Sequence, residues 1–223
     1  MSKWSDITMY DLTIPIGICT PAWPTYEPLQ MKFFKRLTPN GANGQLMTHS
    51  NHVGTHLDGP MHFDTAGRDM ASLELTKLCA PGVVVDLSDQ KEDFGIYTPE
   101  DIERRVTVKE GDVLIINTGY HIYGWDSPTA DERRYMLRHP GPSLDFIQWV
   151  RDKKIRWIGV DCGSADHPMN TKIRDWEPME AEKCDAIFQK KYGKTLNEMY
   201  PWPEHYQAMH IELFCKPYEA IHA

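Results

Sequence analysis

Between residues 82 and 161, three short apolar runs alternate with stretches patterned as helices. The runs are Gly82–Leu87 (GVVVDL), Asp112–Asn117 (DVLIIN) and Ile155–Asp161 (IRWIGVD). Continuous β-branched runs of this length, bounded by turn residues, predict buried strands. Thr98-Pro99-Glu100-Asp101 predicts a helix start, with proline at the first helical position and acids in the first turn. Ser143–Lys154 predicts a second helix: an N-cap serine, Leu144, Ile147 and Val150 at helical spacing, and basic residues in its last turn. A third is expected over Glu180–Tyr192, capped by Gly193. Strand and helix alternating in this way imply an α/β fold with parallel pairing. The first 50 residues carry Pro15, Pro21, Pro24, Pro28 and Pro39 and are expected to wrap the core as extended segments. The expected architecture is α/β: a single compact domain over residues 1–223 with a mixed sheet or barrel-like core and flanking helices.

Composition narrows the function classes. A chain of 223 residues buries enough surface to fold without disulfides. Its 41% hydrophobic and 25% charged content exclude a disordered tail, a collagen-like repeat and a coiled coil. A net charge of −8 argues against a surface built for phosphate backbones, so no nucleic-acid partner is expected. No apolar run approaches the roughly 18 residues of a membrane span, and the first ten residues lack the apolar core of a signal peptide. The five cysteines (Cys19, Cys79, Cys162, Cys184 and Cys215) are scattered and form no C-x-x-C pair. Free thiols in a reducing cytoplasm are the expectation.

Histidine is unevenly distributed: four of the ten fall at His49, His52, His56 and His62. In His52-Val-Gly-Thr-His56-Leu-Asp58, two imidazoles and a carboxylate lie within seven residues, a donor set that divalent ions favour. Neither regular element gathers them. A helix would place the two histidines about 5–6 Å apart but is opposed by Val53, Gly54, Thr55 and Gly59-Pro60, and it turns Asp58 away. A strand would separate residues 52 and 56 by roughly 13 Å, whereas ligands converge through bonds of about 2.0–2.2 Å. The segment is therefore expected to curl at Gly54 and Gly59-Pro60 around one ion, with His62 just outside the ligands. A lone histidine is ordinarily a packed or surface residue. The clustering is what points to metal. Structural zinc usually has four protein ligands, often thiolates; three ligands without cysteine leave a position for water or substrate.

The twelve-residue pattern His-x-Gly-Thr-His-x-Asp-x-Pro-x-His-Phe, His52 to Phe63, resembles the signature of the cyclase-like metal-dependent hydrolases, the family of bacterial kynurenine formamidase and isatin hydrolase. The resemblance extends to Asp11-Leu12-Thr13 as an opening strand, to Pro81–Asp86 as a strand after the motif, and to Gly159-Val160-Asp161 with Asp166 as a late strand and loop. It implies the family's swivelling β/α/β fold, with zinc or manganese held by His52, His56 and Asp58 and His62 as catalytic base and proton shuttle. Binuclear members add a late histidine and a glutamate; His210 resembles that histidine. The chain stops at Ala223, where the glutamate is expected, which implies either a truncated chain or a member without that ligand.

The expected reaction is hydrolysis of an amide, imide or lactone of a small molecule, cyclic or aryl-linked, by metal-activated water. Arylformamidase activity is the alternative. Pocket candidates are Trp23, Phe63, His121, Tyr123 and Trp125; the last three lie in Tyr120–Trp125, a run too aromatic for a plain loop. The resemblance also leads us to expect a homodimer or homotetramer. Three rival readings differ in chemistry. A non-haem iron oxygenase would use His56, Asp58 and His210 and leave His52 idle. A metal-stapled binding protein would need no base at His62. A serine or cysteine hydrolase lacks its Gly-x-Ser-x-Gly elbow here.

Overall fold

A computed structural model describes residues 6–202 and 221–222. Its contacts divide the chain into two compact units, Met1–His56 and Leu57–Ala223.

In the first unit, β1 (Gln30–Lys35), the short helix α1 (Leu37–Asn40) and β2 (Gly44–Thr48) form an antiparallel hairpin. Helix α1 ends at Gly41, whose φ of +70° suits glycine, and the register pairs Met31 with Met47 and Lys32 with Leu46. Asp11–Thr13, the expected opening strand, is not strand. The Asp11 carboxylate instead accepts locally, from the Thr13 backbone N–H (2.9 Å) and hydroxyl (2.6 Å). Most of the first 50 residues are exposed.

The second unit carries β3 (Gly82–Asp86), β4 (Ile96–Tyr97), α2 (Pro99–Glu103), β5 (Val113–Asn117), α3 (Glu132–Leu137), β6 (Gly141–Pro142), α4 (Leu144–Asp152) and β7 (Trp157–Val160). It continues through α5 (Ile173–Trp176), α6 (Pro178–Tyr192), α7 (Leu196–Met199) and β8 (Ile221–His222). The main sheet is parallel, ordered β3-β5-β7-β8, with Val85 opposite Ile116 and Ile116 opposite Val160. Central β5 is the most enclosed of the three expected strands. At the edge, β3 buries Val85 but leaves Val84 59% exposed. A parallel pair, β4 and β6, lies apart from this sheet.

The helices close over these strands because their apolar stripes face inward. Phe146, Ile147 and Val150 of α4 and Ile102 of α2 join Val85, Leu114, Ile116 and Ile158 in one buried cluster. Leu144, expected on that stripe, is only partly buried, and Phe146 takes the deeper place. Helix α2 starts at a capping box: Thr98 Oγ1 accepts from the Asp101 N–H, and Asp101 Oδ2 accepts from the Thr98 N–H. Ser143 occupies the N-cap of α4, but its hydroxyl donates to the Asp145 side chain rather than capping the helix. Helix α6 is anchored by Glu180, whose buried carboxylate accepts from Arg138 Nε (2.8 Å) and from Arg133 and Lys183. The Arg138 hydrogen bonds hold that carboxyl down at about 2, below the usual carboxylate range. No helix among the described residues is long and apolar enough to cross a membrane.

Gly141 marks the tightest approach in this unit. A Cβ there would lie 2.2 Å from His167 Cα and 2.5 Å from its backbone nitrogen. The neighbour is main chain and has no rotamer to yield. Gly141→Ala is expected to cost about 3 kcal/mol and lower Tm by about 10 °C in a thermal melt; an unchanged melt would mean that the two segments separate freely.

Candidate metal centre

The segment carrying the histidines is pinned before it curls. Val53 is buried and bridges Ala22 antiparallel, and the His52 carbonyl accepts from the Trp23 N–H at 3.2 Å. Gly54 then takes φ +68°, a left-handed conformation that favours glycine, and a Cβ there would meet Ile16 Cγ1 at 3.2 Å. The next residue is tied down as well, since Thr55 Oγ1 accepts from the Ile14 N–H at 3.0 Å. The left-handed turn brings the Gly54 carbonyl to 2.8 Å from His56 Nδ1. A carbonyl only accepts, so Nδ1 carries the proton and Nε2 presents a lone pair.

That lone pair faces His52. His56 Nε2 and His52 Nδ1 are 3.2 Å apart, with the rings at 86° to each other. Two nitrogens bound to one tetrahedral ion at about 2.0–2.1 Å stand about 3.3 Å apart, so the observed bite fits a single ion. Asp58 completes the set: one donor atom from each of His52, His56 and Asp58 lies within 4.8 Å of the others. Asp58 is only 7% exposed. The Tyr26 ring stands edge-on to His52 at 5.3 Å between centroids, limiting how the imidazole rotates. A carbonyl accepting from the other ring nitrogen, as the Gly54 carbonyl does from His56 Nδ1, is what fixes tautomer and direction in histidine metal sites. His52 is thus one of three side chains whose donor atoms lie within reach of one ion.

His62 lies on a 3-10 turn, Pro60–His62, whose last N–H donates to the Gly59 carbonyl at 3.0 Å. Its ring is exposed and packs edge-on to Phe63 at 4.4 Å. Phe63 itself packs against the core cluster. Trp23, half-buried, is attached to His52 through the backbone. His210 lies outside the described residues.

The aromatic run after β5 has a different anchor. Asp161, one residue past β7, accepts from Thr118 N–H (2.8 Å) and Oγ1 (2.6 Å), Gly119 N–H (3.0 Å) and His121 Nδ1 (2.8 Å). The same carboxylate sets the turn and orients the exposed His121 imidazole. Tyr123 is held by the Arg134 guanidinium, 4.1 Å above its ring, and by an edge contact with Tyr120. Sequence reasoning placed Asp161 at a strand end without a task; only the chain reversal at Gly119 (φ +78°) shows what it organises. It also overlooked two fully buried histidines, His139 and His167, whose one shared sequence mark is a following proline. Cys162 is buried and its thiol is pushed well up by desolvation, which fits an inert strand-end residue.

The family model described as "Putative cyclase" matches residues 10–167. Kynurenine formamidase of Bacillus anthracis is 28% identical over 176 residues, covering 77% of this chain and 73% of the relative. Kynurenine formamidase of Geobacillus thermodenitrificans is 28% identical over 174 residues, covering 77% and 74%. Among solved structures, isatin hydrolase A from Ralstonia solanacearum matches with a TM-score of 0.70 at 17% identity, over 96% of this chain and 76% of that one. A potential metal-dependent hydrolase with cyclase activity matches with a TM-score of 0.58 at 18% identity, over 96% and 78%. At those identities the two structures speak for the fold, which is the α/β architecture described above. The family match runs unbroken through the curled histidine segment and on past β7, so the chain belongs to the cyclase family.

Proposed function

We propose that this chain is a metal-dependent hydrolase that opens a cyclic amide, imide or lactone of a small molecule in the cytoplasm. The observation that carries the reading is the donor set of His52, His56 and Asp58, preset to the bite of one ion and free of cysteine. Two nitrogens and a carboxylate oxygen suit zinc or manganese. A bound divalent ion supplies Lewis acidity and lowers the pKa of water from about 15.7 towards about 7. The chain's own groups do the rest. Gly54 fixes His56 in the ligating tautomer. His62, exposed four residues beyond Asp58, takes the proton of the attacking water and returns it to the leaving nitrogen or oxygen. Trp23, Phe63, His121, Tyr123 and Trp125 are the aromatic side chains we assign to substrate contact, and His210 is the residue we assign to a second ion.

A second reading, an arylformamidase, draws support from the kynurenine formamidases that match over three quarters of the chain. Metal analysis followed by assays on isatin, imides, lactones and formanilides separates the two. Turnover of cyclic amides above formanilides supports the first reading, and the reverse order supports the second. In either case His62→Ala is expected to lower the rate by about 10²–10⁴-fold while the metal stays bound. Loss of metal together with activity in that variant would make His62 a ligand and end its role as base.

A further inference from the structure

His139 and His167 are fully enclosed, and Asn170 nearly so. Each has a buried polar atom with no hydrogen-bond partner among the described residues: His139 Nε2, His167 Nε2 and Asn170 Oδ1. Buried polar atoms are nearly always paired, with protein or with ordered water. These three sit on adjoining segments. His139 leads into Gly141, which runs so close to His167 that a Cβ would fall 2.2 Å from the His167 Cα. Asn170 ends the 3-10 turn that follows His167, and its N–H donates to the His167 carbonyl at 2.8 Å. The two rings are near enough for a charge on one to repel a charge on the other.

The remaining ring nitrogens settle the tautomers. His139 Nδ1 lies 2.8 Å from the Pro140 carbonyl, which only accepts, so Nδ1 carries the proton and Nε2 a lone pair. His167 is the reverse. Its Nδ1 accepts from the Met169 N–H at 3.1 Å, which leaves the proton of the neutral ring on Nε2. The Phe94 backbone attracts that proton without reaching hydrogen-bond geometry. The orphaned set is therefore one donor, His167 Nε2–H, and two acceptors, His139 Nε2 and Asn170 Oδ1. Their common partner must accept once and donate twice. Ammonium has no lone pair to offer. A metal ion has no proton to donate and would meet an N–H on His167. Water meets both requirements. We infer that one buried water bridges His139 Nε2, His167 Nε2 and Asn170 Oδ1, stitching the segment that leads into β6 to the turn that follows β7. None of these groups is among the proposed metal donors, base or substrate contacts.

NMR of the intact protein labelled with ¹⁵N-histidine, near neutral pH, tests the bridge. The His167 Nε2–H is expected to show a cross-peak to water with the sign of a through-space contact rather than of chemical exchange. In His139→Leu the bridge loses an acceptor, and the cross-peak is expected to fall at least about tenfold. The His167 proton should stay on Nε2 in that variant, because Met169 still donates to Nδ1. If His139→Leu does not fold, a crystal structure of the wild type decides: a water about 2.7–3.2 Å from all three atoms supports the bridge. A wild-type N–H without water contact, a cross-peak indifferent to His139→Leu, direct contact between the two Nε2 atoms, or an anomalously scattering ion at the site overturns it.

Discussion

His56→Ala is expected to empty the metal centre: ion content measured by mass spectrometry falls from about one per chain to below about a tenth, and hydrolysis drops by at least about 10⁴-fold. The size of the effect follows from what the side chain does. It is one of three donors, its Nε2 sits 3.2 Å from His52 Nδ1, and its own Nδ1 is tied to the Gly54 carbonyl. Alanine removes the bite and leaves two donors, too few to compete with bulk water for a divalent ion. Without the ion, the attacking water returns to a pKa near about 15.7, a larger loss than that of a proton shuttle. His56→Ala should therefore be markedly slower than His62→Ala, and only His56→Ala should lose the ion. Full ion content in His56→Ala, with folding verified by circular dichroism, would place the metal elsewhere and remove the basis of the proposed function.

Acid is expected to unfold this protein, on account of two buried histidines that are not among the proposed metal donors. His139 and His167 are completely buried. Desolvation is the main cause in both; it pushes His139 down to about 4 and His167 down to about 3, and repulsion from His139 lowers His167 further. Asp161 and Asp166 pull His139 in the opposite direction but do not offset burial. Around His167 stand aromatic rings, Tyr200 stacked at 4.9 Å with Phe188 and Phe94 beyond; the Phe94 backbone favours the charged form but does not offset burial. The unfolded chain takes up protons on these histidines near pH 6.5, whereas the folded chain resists until pH 4 or below. Stability from this source is complete above about pH 6.5 and is lost as pH falls, on the order of 5 kcal/mol by pH 4. Glu180 acts in the same direction at lower pH, its stabilising ion pairs disappearing between about 4.5 and 2. Urea titrations of chelator-treated protein between pH 7 and 4 measure the effect. The double variant His139→Gln with His167→Asn is expected to flatten the dependence above pH 4; an equal slope in both proteins would assign acid lability to other groups.

The strands and helices of the second unit were legible because local pattern and tertiary role agree there. Val113–Asn117 is apolar throughout because β5 lies inside the sheet, and Thr98 with Asp101 announces α2 through hydrogen bonds that span only three residues. The curl of the metal segment was readable for a similar reason. Gly54 is where the backbone needs a positive φ, and no regular element could have gathered the ligands. What escaped depends on long-range contacts. Asp161 organises Thr118, Gly119 and His121 from 40 to 43 positions away, and a lone aspartate after a strand carries no sign of that. Asp11–Thr13 reads as strand by resemblance, yet in the structure these residues pair with no strand among the described residues and the Asp11 carboxylate accepts from two donors of Thr13. His139 and His167 looked ordinary because burial of a neutral imidazole leaves no periodic trace.

The backbone bridge at Val53 and the left-handed turn at Gly54 have a consequence for how the proposed centre would take up a cation. Because the main chain, not the ion, sets the separation of the two imidazoles, little reorganisation is required on loading, and stripping the ion need not melt the fold. If the proposed centre is loaded, such a scaffold would exchange one divalent species for another without refolding, and the supply of cations around it, as well as its ligands, would decide which form is at work.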